Sequence, residues 1–132
     1  MQLQRLERSP RTFGEAGMLT PSEIHTIDAI GLNGDVLMSQ LANKLSITKG
    51  AVTQLVSKLE KKELVLRKAH PTDSRAILLT LTKKGEIAFQ EHQAMHQQFY
   101  RKLSQQLEAH EIAVFEKGLK LFTEELMANT IE

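Results

Sequence analysis

A mainly α-helical fold with one small β-hairpin is what this sequence predicts, on three observations. Apolar residues recur at i, i+3, i+4 spacing over several stretches, the mark of a helix with one buried face. Two short apolar runs, Leu64–Ala69 and Ala76–Leu81, flank the turn formers His70-Pro71-Thr72-Asp73-Ser74 and read as a hairpin. Helix start signals built on Thr20, Thr48 and Thr82 divide the rest. At 132 residues, with 41% apolar and 25% charged residues, the chain is expected to be one domain, 1–132, with a core that needs no staples.

In chain order, Gln2–Arg8 reads as a short helix ended by Ser9-Pro10, and Gly14 and Gly17 mark a loop. Thr20-Pro21-Ser22-Glu23 is a capping box with proline in the first turn. Ile24, Ile27 and Ile30 give the helix it opens an apolar face, and Asn33-Gly34 is the turn expected to stop it. Ser39 to Leu45 is a short helix with Leu41, Ala42 and Leu45 inward. Ser46-Ile47-Thr48 links it to a second helix, capped by Thr48 and running to about Lys62. Val52, Leu55, Val56 and Leu59 form the apolar stripe of that second helix. After the hairpin, Thr82 opens a long helix with Ala88, His92, Met95, Phe99 and Leu103 on one stripe. A break near Leu107–His110 precedes a final helix whose face carries Ile112, Phe115, Leu119, Phe122 and Leu126.

Composition narrows the function classes. The absence of cysteine excludes disulfides, thiolate zinc sites and cysteine redox sensing. No apolar run reaches the roughly 20 residues that span a bilayer, and the N-terminus lacks a signal-peptide core, so a cytoplasmic protein without membrane contact is expected. The net charge of +1 conceals an asymmetry. Eight basic and three acidic residues between Lys44 and Arg75 leave +5 there, whereas eight acids and four Lys or Arg from Glu86 onward leave −4. Such separation suits a module that meets phosphate on one side, although a solvated charged face has the same appearance.

Two short helices, a brief link and a hairpin follow one another in the order of a winged helix-turn-helix. The second helix offers Thr48, Lys49, Gly50, Thr53, Gln54, Ser57 and Lys58 away from its apolar stripe, near the end where a recognition helix meets base edges. Gln54 suits adenine, and Lys49 and Lys58 suit phosphate. Gly50 allows close approach of the backbone. Ser39, at the start of the preceding helix, is a further candidate contact. In the wing, Asp73 and Arg75 are two apart, an arrangement in which the carboxylate can hold the guanidinium extended toward a minor groove; a surface ion pair worth about 0–1 kcal/mol is the plainer alternative.

The stretch Leu37–Gly85, with its Asp73-x-Arg75 wing followed by Leu81-Thr82-x-x-Gly85, resembles the DNA-binding core of the MarR family, and the resemblance extends over roughly residues 19–126. It implies a DNA-binding lobe over 20–81, with 1–19 and 82–132 as dimerisation segments. The implied function is a sequence-specific regulator of transcription, a repressor that binds a pseudo-palindromic operator as a homodimer under effector control. DNA contact is carried onto the polar positions of Thr48–Lys58 and onto Arg75. Two positions depart from the family pattern. Glu63 stands where glycine is common, so a left-handed residue there would be strained by roughly 1 kcal/mol and the turn is expected to differ. Only 19 residues precede Thr20, so the dimer interface is expected to be reduced at that end or the chain to be a shortened form.

His92 and His96 are four apart and share the stripe of Ala88, Met95 and Phe99, so both are expected to point inward, as hydrogen-bonded interior histidines or as a metal-binding pair. The zinc-responsive branch of the family carries a Glu and three His whose places map onto Glu7, His25, His92 and His96, with Asp28 placed to orient His25; zinc is the cofactor this implies. A second branch, the fatty-acid-synthesis repressors of lactic bacteria, is similar over Ile24–Gly31 and Glu111–Leu119, and implies acylated carrier protein or another small-molecule effector instead. His70 is expected at the wing surface near phosphate and His110 as a cap at the helix break. Two other function classes compete. A metal-dependent hydrolase using His25, His92 and His96 would need a general base, and no His-Glu-x-x-His is present. A dimeric adaptor without DNA contact leaves the +5 segment unexplained.

Overall fold

The computed structural model describes residues 10–131, with side chains through Glu125; the predicted helix over Gln2–Arg8, Glu7 and the side chain of Leu126 lie outside the described residues. The elements are β1 (Arg11–Thr12), a 3-10 turn (Gly14–Ala16), β2 (Met18–Leu19), α1 (Pro21–Ile30), β3 (Val36–Leu37), α2 (Met38–Leu45), α3 (Lys49–Lys61), β4 (Val65–Ala69), β5 (Ile77–Leu81), α4 (Lys83–Gln106) and α5 (Ala109–Ile131). The fold is mainly helical with small antiparallel sheets, as the sequence predicts. The chain divides into two compact units between Gln93 and Ala94, within α4.

In the N-terminal unit the capping box of α1 forms as read. Glu23 N–H donates to Thr20 Oγ1 at 3.2 Å, and Thr20 N–H donates to Glu23 Oε1 at 3.0 Å. The helix stops at Gly31 rather than at Asn33-Gly34, since Gly31 N–H closes on the Ile27 carbonyl. Ile24, Ile27, Leu41, Val52, Val56 and Leu59 form the core where α1, α2 and α3 meet; Leu55, expected inward, is half-buried. Thr48 caps α3 by accepting from Ala51 N–H at 3.1 Å.

Two pairings were not evident in the sequence. β3 joins the hairpin, making a three-stranded sheet in the order β3-β5-β4 with Val36 opposite Leu79 and Arg67 opposite Leu79 on the other side. β1 and β2 form a two-residue ladder where a plain loop was expected. Strands of two residues are too short to show a period.

The exit of α3 keeps its turn despite Glu63. Glu63 adopts φ 62°, with its N–H on the Glu60 carbonyl (2.9 Å) and Leu64 N–H on the Leu59 carbonyl (2.9 Å). This is the double closure usual for a glycine at that position. The expectation of a different turn is therefore corrected: the two closures, with Leu59 and Leu64 both fully buried, outweigh the strain. The Leu-Thr-x-x-Gly motif explains itself at the same place. Thr82 N–H donates to the Leu64 carbonyl (3.0 Å), its hydroxyl donates to the Glu63 carbonyl (2.7 Å), and its Oγ1 accepts from Gly85 N–H (3.0 Å). A Cβ on Gly85 would stand 2.1 Å from the Leu64 carbonyl oxygen, so only glycine lets the start of α4 lie against this turn.

In the C-terminal unit, α4 continues to Gln106 and α5 begins at Ala109. Glu108 N–H donates to Glu111 Oε1 at 3.0 Å, so this carboxylate and not His110 secures the helix start; His110 Nδ1 lies 3.4 Å from Glu108 Oε2. Ile112 is buried, while Phe115, Leu119 and Phe122 of the expected stripe are exposed, together with Val114 and Leu121. Phe99 and Tyr100 are exposed as well.

Candidate nucleic-acid interface

Helix α3 turns Val52, Val56 and Leu59 to the core, and this fixes what its other face presents. Thr48, Lys49, Gly50, Thr53, Gln54 and Lys58 are exposed and Ser57 is half-buried, so the predicted residues share one outward surface; Ser39 is exposed at the start of α2. An added Cβ on Gly50 would meet nothing nearer than Thr48 Oγ1 at 4.0 Å, so the space above the first turn is open to another molecule.

Hydrogen bonds already made decide what these groups have left to offer. Thr53 donates its hydroxyl proton to the Lys49 carbonyl at 2.8 Å and keeps only acceptor capacity. Thr48 Oγ1 accepts from the backbone and keeps its proton. Ser57 Oγ accepts from Arg67 Nη2 at 3.3 Å, and the Arg67 Nε donates to Glu60 Oε1 at 2.6 Å.

The basic residues sort in the same way. Lys44 Nζ donates to the Ala29 carbonyl (3.2 Å), Lys62 is paired with Glu23 (2.7 Å), Lys68 with Asp35 (3.6 Å) and Arg67 with Glu60. Of the basic residues between Lys44 and Arg75, Lys49, Lys58, Lys61 and Arg75 make no side-chain hydrogen bond or ion pair to the described residues, and Arg67 keeps the end-on edge of its guanidinium. The Glu23–Lys62 pair ties α1 to the end of α3. Burial alone would raise the Glu23 carboxyl, but the Lys62 ammonium and the Thr20 hydrogen bonds hold it below its usual 4.5.

The wing is organised differently from the sequence expectation. Asp73 Oδ1 accepts from the backbone N–H of Arg75 at 3.0 Å, and no ion pair joins the two side chains among the described residues. A single residue of turn, Ser74, separates them, and the carboxylate satisfies the backbone of Arg75 rather than its guanidinium. His70 is a builder of the turn rather than only a surface residue. Its Nδ1 accepts from Thr72 N–H (3.2 Å) and Asp73 N–H (3.1 Å), which leaves Nε2 as the protonated nitrogen. The signal was the His-Pro-x-Asp spacing, in which a ring nitrogen replaces the usual turn carboxylate.

The histidines read as metal ligands differ in burial. His92 is buried, with Nδ1 2.6 Å from Asp28 Oδ2, its ring edge-on to Phe13 (5.8 Å between centroids) and 6.3 Å from the ring of His25. Asp28 thus orients His92. His25 is exposed. His96, expected inward, is also exposed. Glu7 lies outside the described residues. Among the described residues, the one group of three potential ligand side chains close enough to share an ion is Glu108, His110 and Glu111, all exposed.

Comparison with known proteins places these features. Residues 19–76 match the MarR family. The regulator MhqR of Bacillus subtilis is 39% identical over 67 residues, which cover 51% of this chain and 46% of that protein, so the match spans about half of that relative. The multiple antibiotic resistance protein MarR of Salmonella typhimurium is 31% identical over 77% of this chain and 72% of its own length. Among solved structures, FabT of Streptococcus pneumoniae in complex with DNA superposes with a TM-score of 0.73 at 35% identity, covering 83% of this chain and 77% of FabT. ZitR of Lactococcus lactis, a zinc-responsive regulator, superposes with a TM-score of 0.66 at 26% identity, covering 96% and 90%.

Proposed function

The chain belongs to the MarR family of winged-helix transcription regulators, which are DNA-binding proteins and not enzymes, and on that premise we propose that it represses transcription by binding a pseudo-palindromic operator as a homodimer. The observation that carries this reading is the outward face of α3. It holds polar groups with unspent hydrogen-bonding capacity at its N-terminal end, flanking cations without an acidic partner, and open space above Gly50. These are the parts of direct readout and phosphate contact. The lobe over 20–81 supplies the DNA contacts, including Ser39, Lys49, Gln54, Lys58 and Arg75, with Asp73 and His70 holding the wing. The segments 1–19 and 82–132 supply the dimer. Support for the latter is the run of exposed apolar residues Val114, Phe115, Leu119, Leu121 and Phe122 on α5, a contiguous apolar face of the kind that marks an interaction surface. Selection of duplexes from a randomised pool, followed by anisotropy titration, tests the reading. A dimer with a strong preference for a two-fold symmetric duplex is expected, and a dimer that binds all duplexes alike would overturn it.

The resemblance to fatty-acid-synthesis repressors makes an acyl group on a carrier protein, or a similar small molecule, one class of effector. Zinc is the second, favoured by one observation. Asp28 holds His92 through Nδ1, the carboxylate–histidine arrangement common around zinc, and the ring of His25 lies 6.3 Å from that of His92. The nitrogen and carboxylate donors that the resemblance to the zinc-responsive branch names for such an ion are Glu7, His25, His92 and His96. Calorimetric titration decides: stoichiometric zinc binding lost in His96→Ala selects the metal, and absence of zinc binding selects the acyl effector.

A further inference from the structure

We propose that Arg67 and Ser57 form a pre-set claw for one DNA phosphate, with Glu60 as the residue that positions it. The inference rests on the DNA-binding reading; it adds Arg67, which neither the helix-turn-helix pattern nor the wing motif designates, and assigns Ser57 to phosphate.

Arg67 lies on β4, outside the recognition helix and away from the wing tip. Its side chain nevertheless reaches back onto α3. Nε donates to Glu60 Oε1 at 2.6 Å and Nη2 donates to Ser57 Oγ at 3.3 Å. Both bonds use the side edge of the guanidinium. A guanidinium has five N–H groups in a fixed fork, so its end-on edge stays unused. Ser57 now has a defined polarity. Its oxygen is already an acceptor for Arg67, so its hydroxyl proton is free to donate outward; no bond from it to the Thr53 carbonyl competes, in contrast to Thr53, which donates to Lys49. A donor hydroxyl beside an arginine edge is complementary to a phosphate oxygen, which only accepts.

Position selects phosphate over a base edge. The first turn of a recognition helix lies deepest in the groove, whereas Ser57 stands in its third turn, beside the strand that borders it. The partial exposure of the pair, with 32% of the Arg67 side chain and 34% of the Glu60 side chain accessible, places them on a rim. Glu60 does more than pair a charge. It fixes the fork before DNA arrives, so the side-chain freedom of a long arginine need not be lost on binding.

The test uses the full-length protein and a duplex that it selects from a randomised pool. Arg67→Gln is expected to weaken selected and unselected duplexes by the same factor, roughly tenfold, and to flatten the slope of log Kobs against log salt by about 2 per dimer. Ser57→Ala is expected to weaken binding without changing base preference, and the Ser57→Ala/Arg67→Gln double variant to lose less than the product of the two effects. Arg67→Lys should restore the slope but not the coupling to Ser57. A methylphosphonate scan on the wild-type protein gives a readout independent of variant folding: one phosphate per half-site should lose its contribution in wild type and show none in Arg67→Gln. Wild-type salt slope and affinity in Arg67→Gln would overturn the claw while leaving DNA binding intact, and so would a changed base preference in Ser57→Ala. Failure of the wild-type protein to prefer any duplex would instead overturn the DNA-binding reading itself.

Discussion

Replacing Glu63 by glycine should stabilise this protein, although it removes a whole side chain. At φ 62° the residue occupies the left-handed region, where a β-carbon costs about 1–2 kcal/mol. Glycine removes that cost but adds freedom to the unfolded chain, a loss of about 0.4–1 kcal/mol. The exposed Glu63 carboxylate makes no hydrogen bond or ion pair among the described residues, so none of those is forfeited, and an acid at a helix C-terminus opposes the helix dipole by a few tenths of a kcal/mol. The bonds that define the turn, from Thr82 to the Glu63 carbonyl and from Glu63 N–H to Glu60, run through the backbone and survive. The net gain is about 1 kcal/mol. Urea unfolding at fixed protein concentration reads it as a higher midpoint at unchanged m, or about 3–5 °C in Tm. Glu63→Ala separates strain from charge, since alanine keeps the β-carbon; it should stay within about 0.5 kcal/mol of wild type. If Glu63→Gly proved no more stable than Glu63→Ala, the assignment of strain to this residue would be wrong.

Gly85→Ala should destabilise by about 2–3 kcal/mol in the same assay, because a methyl group 2.1 Å from the Leu64 carbonyl forces the backbone apart and endangers the bond from Thr82; overpacking and the lost bond exceed the roughly 1 kcal/mol of helix propensity gained. The Glu23 carboxyl is held below 4.5 in the folded protein, so its contribution is complete above that pH and disappears as the pH falls through the lowered value; Glu23→Gln should lose about 2 kcal/mol at neutral pH and show a shallower acid limb in a pH series of urea midpoints. Lys49→Ala and Lys58→Ala should each flatten the salt dependence of DNA affinity by about 2 per dimer, whereas Lys44→Ala, whose ammonium is bound to the Ala29 carbonyl, should leave the slope unchanged. Gly50→Ala should raise stability by up to about 1 kcal/mol and weaken DNA binding, two effects of opposite sign from one methyl group.

The helices were legible because their signals are local. Thr20 with Glu23, and Thr48 before Val52, Val56 and Leu59, state a start and an inward face within a dozen residues. The outward residues of α3 followed from that inward face. What the sequence hid depends on partners distant in the chain. β3 is two residues that become a strand only because Leu79 and Leu78 lie opposite. Lys62 reads as a surface cation until Glu23, 39 residues earlier, claims it. Arg67 has no motif of its own, and its meaning comes from reaching Glu60 and Ser57. Asp73 was read as a partner for a guanidinium because both are charged, but a backbone N–H two residues away was closer to hand. His96 shared a stripe with His92 on the helical wheel, yet it is exposed where His92 is buried, a difference that periodicity alone does not carry.

The contact between Gly85 and the Leu64 carbonyl also bears on how a signal would travel. Most helix junctions meet through side chains, which can change rotamer and take up a small rotation. Here the beginning of α4 touches the exit of α3 main chain to main chain, with Thr82 bonded to both Glu63 and Leu64. Such a hinge has no slack. A displacement of the first turn of α4 would be felt directly at the exit of α3, and, by reciprocity, a duplex holding α3 would resist the same displacement in α4. One missing methyl group thereby sets the stiffness of the link through which an effector and an operator would sense each other.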